Sequence, residues 1–121
     1  MNMNRLSMAV VGAAFIALGT VAAAQAPPSC RGFPATIIGT DGDDVLPGTP
    51  GDDVIVGLDG NDRIEGGDGE DRICGGPGND IIDGGPGNDM LDGDDGYDTL
   101  KDQAGYDECY NGEANSGCEV N

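Results

Sequence analysis

The chain has 121 residues, with 23 glycines, 23 acidic residues, five basic residues and no histidine, for a formal net charge of −18. That length allows one domain at most, and two Phe, three Tyr and no Trp argue against an ordinary packed core. The missing histidine excludes zinc proteases and Ser-His or Cys-His nucleophile pairs, and the negative charge argues against a nucleic acid partner, whose phosphates it would repel.

Residues 1–24 read as a secretory signal peptide. Arg5 supplies the positive start, Ala9 to Leu18 the apolar run, and Ala22-Ala23-Ala24 the small-residue cleavage pattern before Gln25. The apolar run is short for a membrane span of about 20 residues. No membrane span is therefore expected after cleavage. Four cysteines, Cys30, Cys74, Cys109 and Cys118, imply two disulfides in a small exported chain. Their spacing allows three connectivities, and no pair has the CxxC spacing of a zinc site.

From Gly39 the chain divides into nine-residue units: 39–47, 48–56, 57–65, 66–74, 75–83, 84–92, 93–101 and a degraded 102–110. Position one is Gly in every unit but the last, which has Asp102. Position four is always Gly. Position six is always Asp: Asp44, Asp53, Asp62, Asp71, Asp80, Asp89, Asp98 and Asp107. Position eight is aliphatic through Leu46, Ile55, Ile64, Ile73, Ile82, Leu91 and Leu100, then Cys109. The glycines allow tight turns with exposed backbone. The three closing residues suit a short strand, with position eight facing inward and positions seven and nine outward.

A six-residue turn and a three-residue strand make half a coil, so two units make one coil. Coils stacked about 4.8 Å apart give two parallel sheets. Units two apart then lie over one another. Asp44, Asp62, Asp80 and Asp98 form one row, and Asp53, Asp71, Asp89 and Asp107 the other. Stacked carboxylates repel unless a cation lies between them. A hard cation such as calcium takes six to eight oxygens from carboxylates and backbone carbonyls, which this pattern supplies.

These units resemble the RTX (repeats-in-toxin), haemolysin-type calcium-binding repeats, whose nonapeptide is GGxGxDxUx. Units 66–74, 75–83 and 84–92 carry every fixed position; units 39–65 and 93–101 lack the second glycine, and the last lacks both leading glycines. The resemblance implies an all-β, right-handed parallel β-roll with two repeats per coil, and calcium as the cofactor. It implies ions held between the pairs Asp44/Asp62, Asp62/Asp80, Asp80/Asp98, Asp53/Asp71, Asp71/Asp89 and Asp89/Asp107, with glycine-turn carbonyls completing each shell. An N-terminal signal peptide and the lack of a catalytic or pore-forming domain resemble the small stand-alone secreted members. No EF-hand loop is in register, and position three offers no Thr ladder for binding ice.

The expected organisation is a signal peptide over 1–24, an N-terminal cap over 25–38, the calcium-binding roll over 39–110 and a disulfide cap over 111–121. Ile37 should occupy the inward slot of a strand before the first unit, and Phe33 should cover the open end of the core. Cys109 and Cys118 lie nine residues apart and should pair from inward positions on opposite sheets. Cys30 is left for Cys74. The function expected is that of a secreted, non-enzymatic calcium-binding protein that folds on binding its ions; the other reading is an extracellular structural or adhesive matrix protein for which calcium is only a folding cofactor. Its protein or matrix partner is not legible from the residues.

Overall fold

The computed structural model describes residues 25–120; the expected signal peptide lies outside them. The described residues are all β, in thirteen short strands. Strands β1 (Ser29–Cys30) and β2 (Phe33–Pro34) form an antiparallel hairpin. Then follow β3 (Ile37–Ile38), β4 (Val45–Pro47), β5 (Val54–Val56), β6 (Arg63–Glu65) and β7 (Arg72–Cys74). The series continues with β8 (Ile81–Asp83), β9 (Met90–Asp92), β10 (Thr99–Lys101), β11 (Glu108–Tyr110), β12 (Ala114–Ser116) and β13 (Glu119–Val120). Two parallel sheets result, ordered β12-β10-β8-β6-β4 and β13-β11-β9-β7-β5-β3. The chain thus alternates between sheets at every repeat, as a β-solenoid of two repeats per turn must.

The position-eight column forms the core. Ile55, Ile64, Ile73, Ile82, Leu91, Leu100 and Cys109 are fully buried, flanked by Ile37, Leu46 and Cys118. Each stacks on the residue two units away, Ile64 on Ile82 and Ile73 on Leu91. Such a buried side chain contributes about 1.5 to 3 kcal/mol. Ile37 pairs with Ile55 in the expected inward slot. Position-seven aliphatics on one sheet, Val45 and Ile81, are exposed but separated by Arg63, so they form no continuous strip.

Both disulfides are present, Cys30–Cys74 and Cys109–Cys118. The ends nevertheless depart from expectation in three ways. Phe33 does not cover the open end of the core. The hairpin turns tightly at Arg31 and Gly32, both at positive φ, and lies along the outer face of the six-stranded sheet. There Cys30 packs with Val56 and Cys74, and the Arg72 guanidinium stacks on Phe33 at 4.0 Å.

Secondly, the position-nine residues beneath the hairpin point outward as expected but are covered. Asp92 is 7% exposed. It accepts hydrogen bonds from Arg31 Nη1 at 2.8 Å and Asn111 Nδ2 at 2.7 Å, and Arg31 also lies 4.1 Å over the Tyr110 ring. The hairpin therefore clasps turns from Val56 to Tyr110 along one side of the roll.

Thirdly, Cys118 is not an inward residue of the opposite sheet. It immediately precedes β13, which pairs with β11, the strand of Cys109 itself. The cause is a register break. β12 pairs with β10 in the repeat register, Leu100 opposite Asn115, yet only three residues separate β11 from β12. That shortened turn shifts everything after Tyr110, so Cys118 falls where the other units place their position-six Asp.

Position two also carries a local conflict. Gly67, Gly76 and Gly85 have φ of 90–95°, and in two units without that glycine Leu58 and Asp94 are held at 74° and 72°. Leu58 is compensated by packing on the Cys30 cluster. Asp94 has no such compensation, and burial followed by the neighbouring Asp92 and Asp95 raises its pKa. Asp94→Gly should stabilise the calcium-loaded protein by about 1 kcal/mol, read as a higher denaturant midpoint; an unchanged or lower midpoint would count against strain at this turn.

Candidate metal centre

All eight position-six aspartates stand in the two rows set by the register. Seven are buried, from Asp53 at 5% exposure to Asp98 at 0%, and Asp44 at the first turn is half-buried. Each row is tied by one repeating bond, in which a backbone N–H donates to the carboxylate two units later. Asp44 N reaches Asp62 Oδ1, Asp62 N reaches Asp80 Oδ1, and Asp80 N reaches Asp98 Oδ1, at 2.7–2.8 Å. In the other row Asp53 N reaches Asp71 Oδ1, Asp71 N reaches Asp89 Oδ1, and Asp89 N reaches Asp107 Oδ1, at 2.8–2.9 Å. The short last turn continues the first row with a longer side chain, as Asp98 N donates to Glu113 Oε1 at 2.7 Å.

The second oxygen of these carboxylates is the informative one. Oδ2 of Asp62, Asp71, Asp80, Asp89, Asp98 and Asp107 is buried without a hydrogen-bond partner. A buried anion without a partner is costly. Around five of these Oδ2 atoms, all but that of Asp107, a glycine leaves room: a methyl carbon at Gly66 would lie 2.6 Å from both Asp71 Oδ2 and the Gly84 carbonyl oxygen. At Gly69, with φ of 103°, it would lie 2.6 Å from the Gly51 carbonyl oxygen. Carboxylate and carbonyl oxygens thus converge on space that any side chain would fill. An all-oxygen cradle with a buried, unpaired anion suits a hard cation.

Asp44 and Asp53 differ. Thr40 donates its N–H to Asp44 Oδ2 at 2.6 Å and its hydroxyl to the same carboxylate at 3.0 Å; Thr49 does the same for Asp53 at 2.7 and 3.0 Å. At the first turn, therefore, threonine in place of the second glycine satisfies both carboxylates from within the unit.

Burial, opposed by one backbone hydrogen bond and reinforced by neighbouring carboxylates, raises Asp71 and Asp80 to about 6 and Asp89 to about 7. Asp62 and Asp98 are raised for the same leading reason.

Two features escape the repeat pattern as read from sequence. One is a second ladder at position five. Asn61 N donates to Asp43 Oδ1, Asn79 N to Asn61 Oδ1, Tyr97 N to Asn79 Oδ1 and Tyr106 N to Asn88 Oδ1, at 2.8–2.9 Å. The run of Asp and Asn in that column was the available signal. The other is Asp102, at the position where seven units have glycine. Its carboxylate lies with those of Asp89 and Asp107, one oxygen of each within 4.8 Å of the others. Burial, then backbone bonding to Gln103 in opposition, then the Asp107 and Asp89 charges leave Asp102 at about 7.

Residues 47–82 and 66–100 match the family model of the RTX calcium-binding nonapeptide repeat. Joined to the parallel two-sheet solenoid, this match identifies residues 47–100 as RTX-type calcium-binding repeats, a β-roll whose cofactor is calcium. No curated protein and no solved structure matches the chain. Among the described residues, no helix is long and apolar enough to cross a membrane.

Proposed function

We propose that the protein is a secreted calcium binder that folds on binding several ions between turns of its roll. The ligands are the carboxylates of Asp44, Asp53, Asp62, Asp71, Asp80, Asp89, Asp98 and Asp107, paired two units apart, together with glycine-turn carbonyls. The observation carrying this reading is the set of six position-six Oδ2 atoms, buried and without a partner. Two disulfides and the signal-like residues 1–24 support export, because such bonds persist in oxidising compartments. In this organisation residues 25–38 are an N-terminal clasp, 39–110 the binding roll and 111–121 the closing cap. Extracellular modules bind calcium at about 10⁻⁴ to 10⁻³ M, which confines the folded state to the exterior. Isothermal titration of the oxidised protein at pH 7.5 should give several calcium ions per chain with a Hill coefficient above one. Stoichiometry of one or less would overturn the reading.

A further inference from the structure

Asp102 occupies a place that sequence alone marks as decay. A methyl carbon placed on Gly66 would face the carbonyl oxygen of Gly84 two units on; placed on Gly84, it would face Asp102 Oδ2 at 2.7 Å and Asp89 Oδ2 at 2.8 Å. A side-chain carboxylate has thus taken the position of a backbone carbonyl. Each of the three acids uses its oxygens alike. Asp89 Oδ1 accepts from Asp71 N, Asp107 Oδ1 from Asp89 N and Asp102 Oδ1 from Gln103 N. Each Oδ2 is buried without a partner, in residues exposed by only 3%, 8% and 1% for Asp89, Asp102 and Asp107. Among the described residues no Lys or Arg pairs with any of them. This is also the one place among the described residues where three such ligand atoms converge so closely.

We propose that Asp89, Asp102 and Asp107 form a three-carboxylate calcium site, the tightest in the protein and the first to fill. The inference rests on the calcium-binding reading above and adds Asp102, which lies outside the repeat's ligand pattern. Affinity for a hard cation rises with the number of anionic ligands and with the rigidity of the site. Asp102 adds one carboxylate to the Asp89/Asp107 pair. The frame is also fixed: Asp102 N donates to Ser116 O at 2.8 Å, and Cys109, two residues from Asp107, is joined to Cys118. The disulfide joins the strand after Asp107 to the closing segment that receives the Asp102 N–H, so two of the three acids lose less freedom on ordering than those of the other turns, and ligands ordered at lower cost bind more tightly.

Calcium titration of the oxidised protein by calorimetry at pH 7.5 should resolve one ion bound about tenfold or more tightly than the rest, which then bind in the cooperative phase. Asp102→Asn should weaken that ion by about tenfold and change the others by less than about twofold. Asp102→Gly restores the residue of the other seven units, so its turn geometry is safe, and it should show the same loss. Glu65→Gln, at an exposed acid paired with Arg63, should leave the tight ion unchanged. Terbium provides a second readout, since Tyr106 adjoins Asp107. Tyrosine-sensitised emission should show a first phase complete near one equivalent in the parent, ahead of any from Tyr97 beside Asp98, and both Asp102 variants should lose that first phase. Uniform affinities in the parent, or a tight phase surviving in both variants, would overturn this site while leaving the calcium-binding reading intact. Failure of the parent to bind calcium at all would overturn both.

Discussion

In calcium-free buffer the roll should be absent at pH 7.5 and form on acidification towards pH 5. The groups responsible are Asp71 and Asp80, raised to about 6, and Asp89 and Asp102, raised to about 7. All four start from 3.8 in the unfolded chain, so the folded state binds protons more tightly. Stability of the metal-free fold is therefore lowest above pH 7, rises as pH falls from about 7 towards 4, and levels off below the unfolded value. Each proton removes a buried charge that has no partner and relieves repulsion along its row. Protons thus replace calcium, and calcium must displace them to bind. The calcium concentration needed for folding should accordingly decrease as pH falls from 7.5 to 6, because protons already favour the fold, while the affinity of the folded roll for calcium weakens by competition. Circular dichroism across this range checks both halves. A metal-free fold that loses stability on going from pH 7.5 to 5 would contradict the assignment of buried, ion-deprived carboxylates.

The second large effect separates Asp80 from Asp44. Asp80 belongs to two stacked pairs, with Asp62 and with Asp98, and its Oδ2 has no partner. Asp44 belongs to one pair, and Thr40 already supplies its carboxylate with an N–H and a hydroxyl. A site at about 100 times its dissociation constant contributes about 2.7 kcal/mol to folding. Asp80→Asn should cost the calcium-loaded protein roughly two such contributions, and Asp44→Asn less than one. The sign should reverse without calcium. The Asp80→Asn amide oxygen keeps the acceptor for Asp62 N while a buried charge is removed. The calcium-free roll of this variant should therefore form at a higher pH than the parent's. Thermal melts of both variants in calcium, and acid titrations in chelator, test this. Equal losses in calcium, or an Asp80→Asn roll that needs more acid than the parent, would show that Asp80 acts as a structural acceptor only.

The interior of the roll was readable from the sequence because each structural layer repeats one residue type at one spacing. Ile64, Ile73 and Ile82 recur at position eight and stack as a core; Asp62, Asp71 and Asp80 recur at position six and stack as rows. A nine-residue period with two repeats per turn leaves no other partner for them. Features that break the period were not readable. Arg31 meets Asp92 across 61 residues, a contact that no local spacing encodes. The clasp also hides position nine, since Asp92 is outward in its strand, as the alternation requires, but covered by the hairpin. Cys118 paired as expected for a different reason, because the shortened turn after Tyr110 changed its register. Asp102 looked like loss of a glycine, and its meaning appears only when the turn of Gly84 is laid over it.

The most direct test of calcium-driven folding is far-UV circular dichroism of the oxidised protein at pH 7.5, first in chelator and then in millimolar calcium. A coil-like spectrum in chelator should become β-rich with a cooperative calcium dependence. A β-rich, cooperatively melting fold already present in chelator would contradict it, even if calcium still bound.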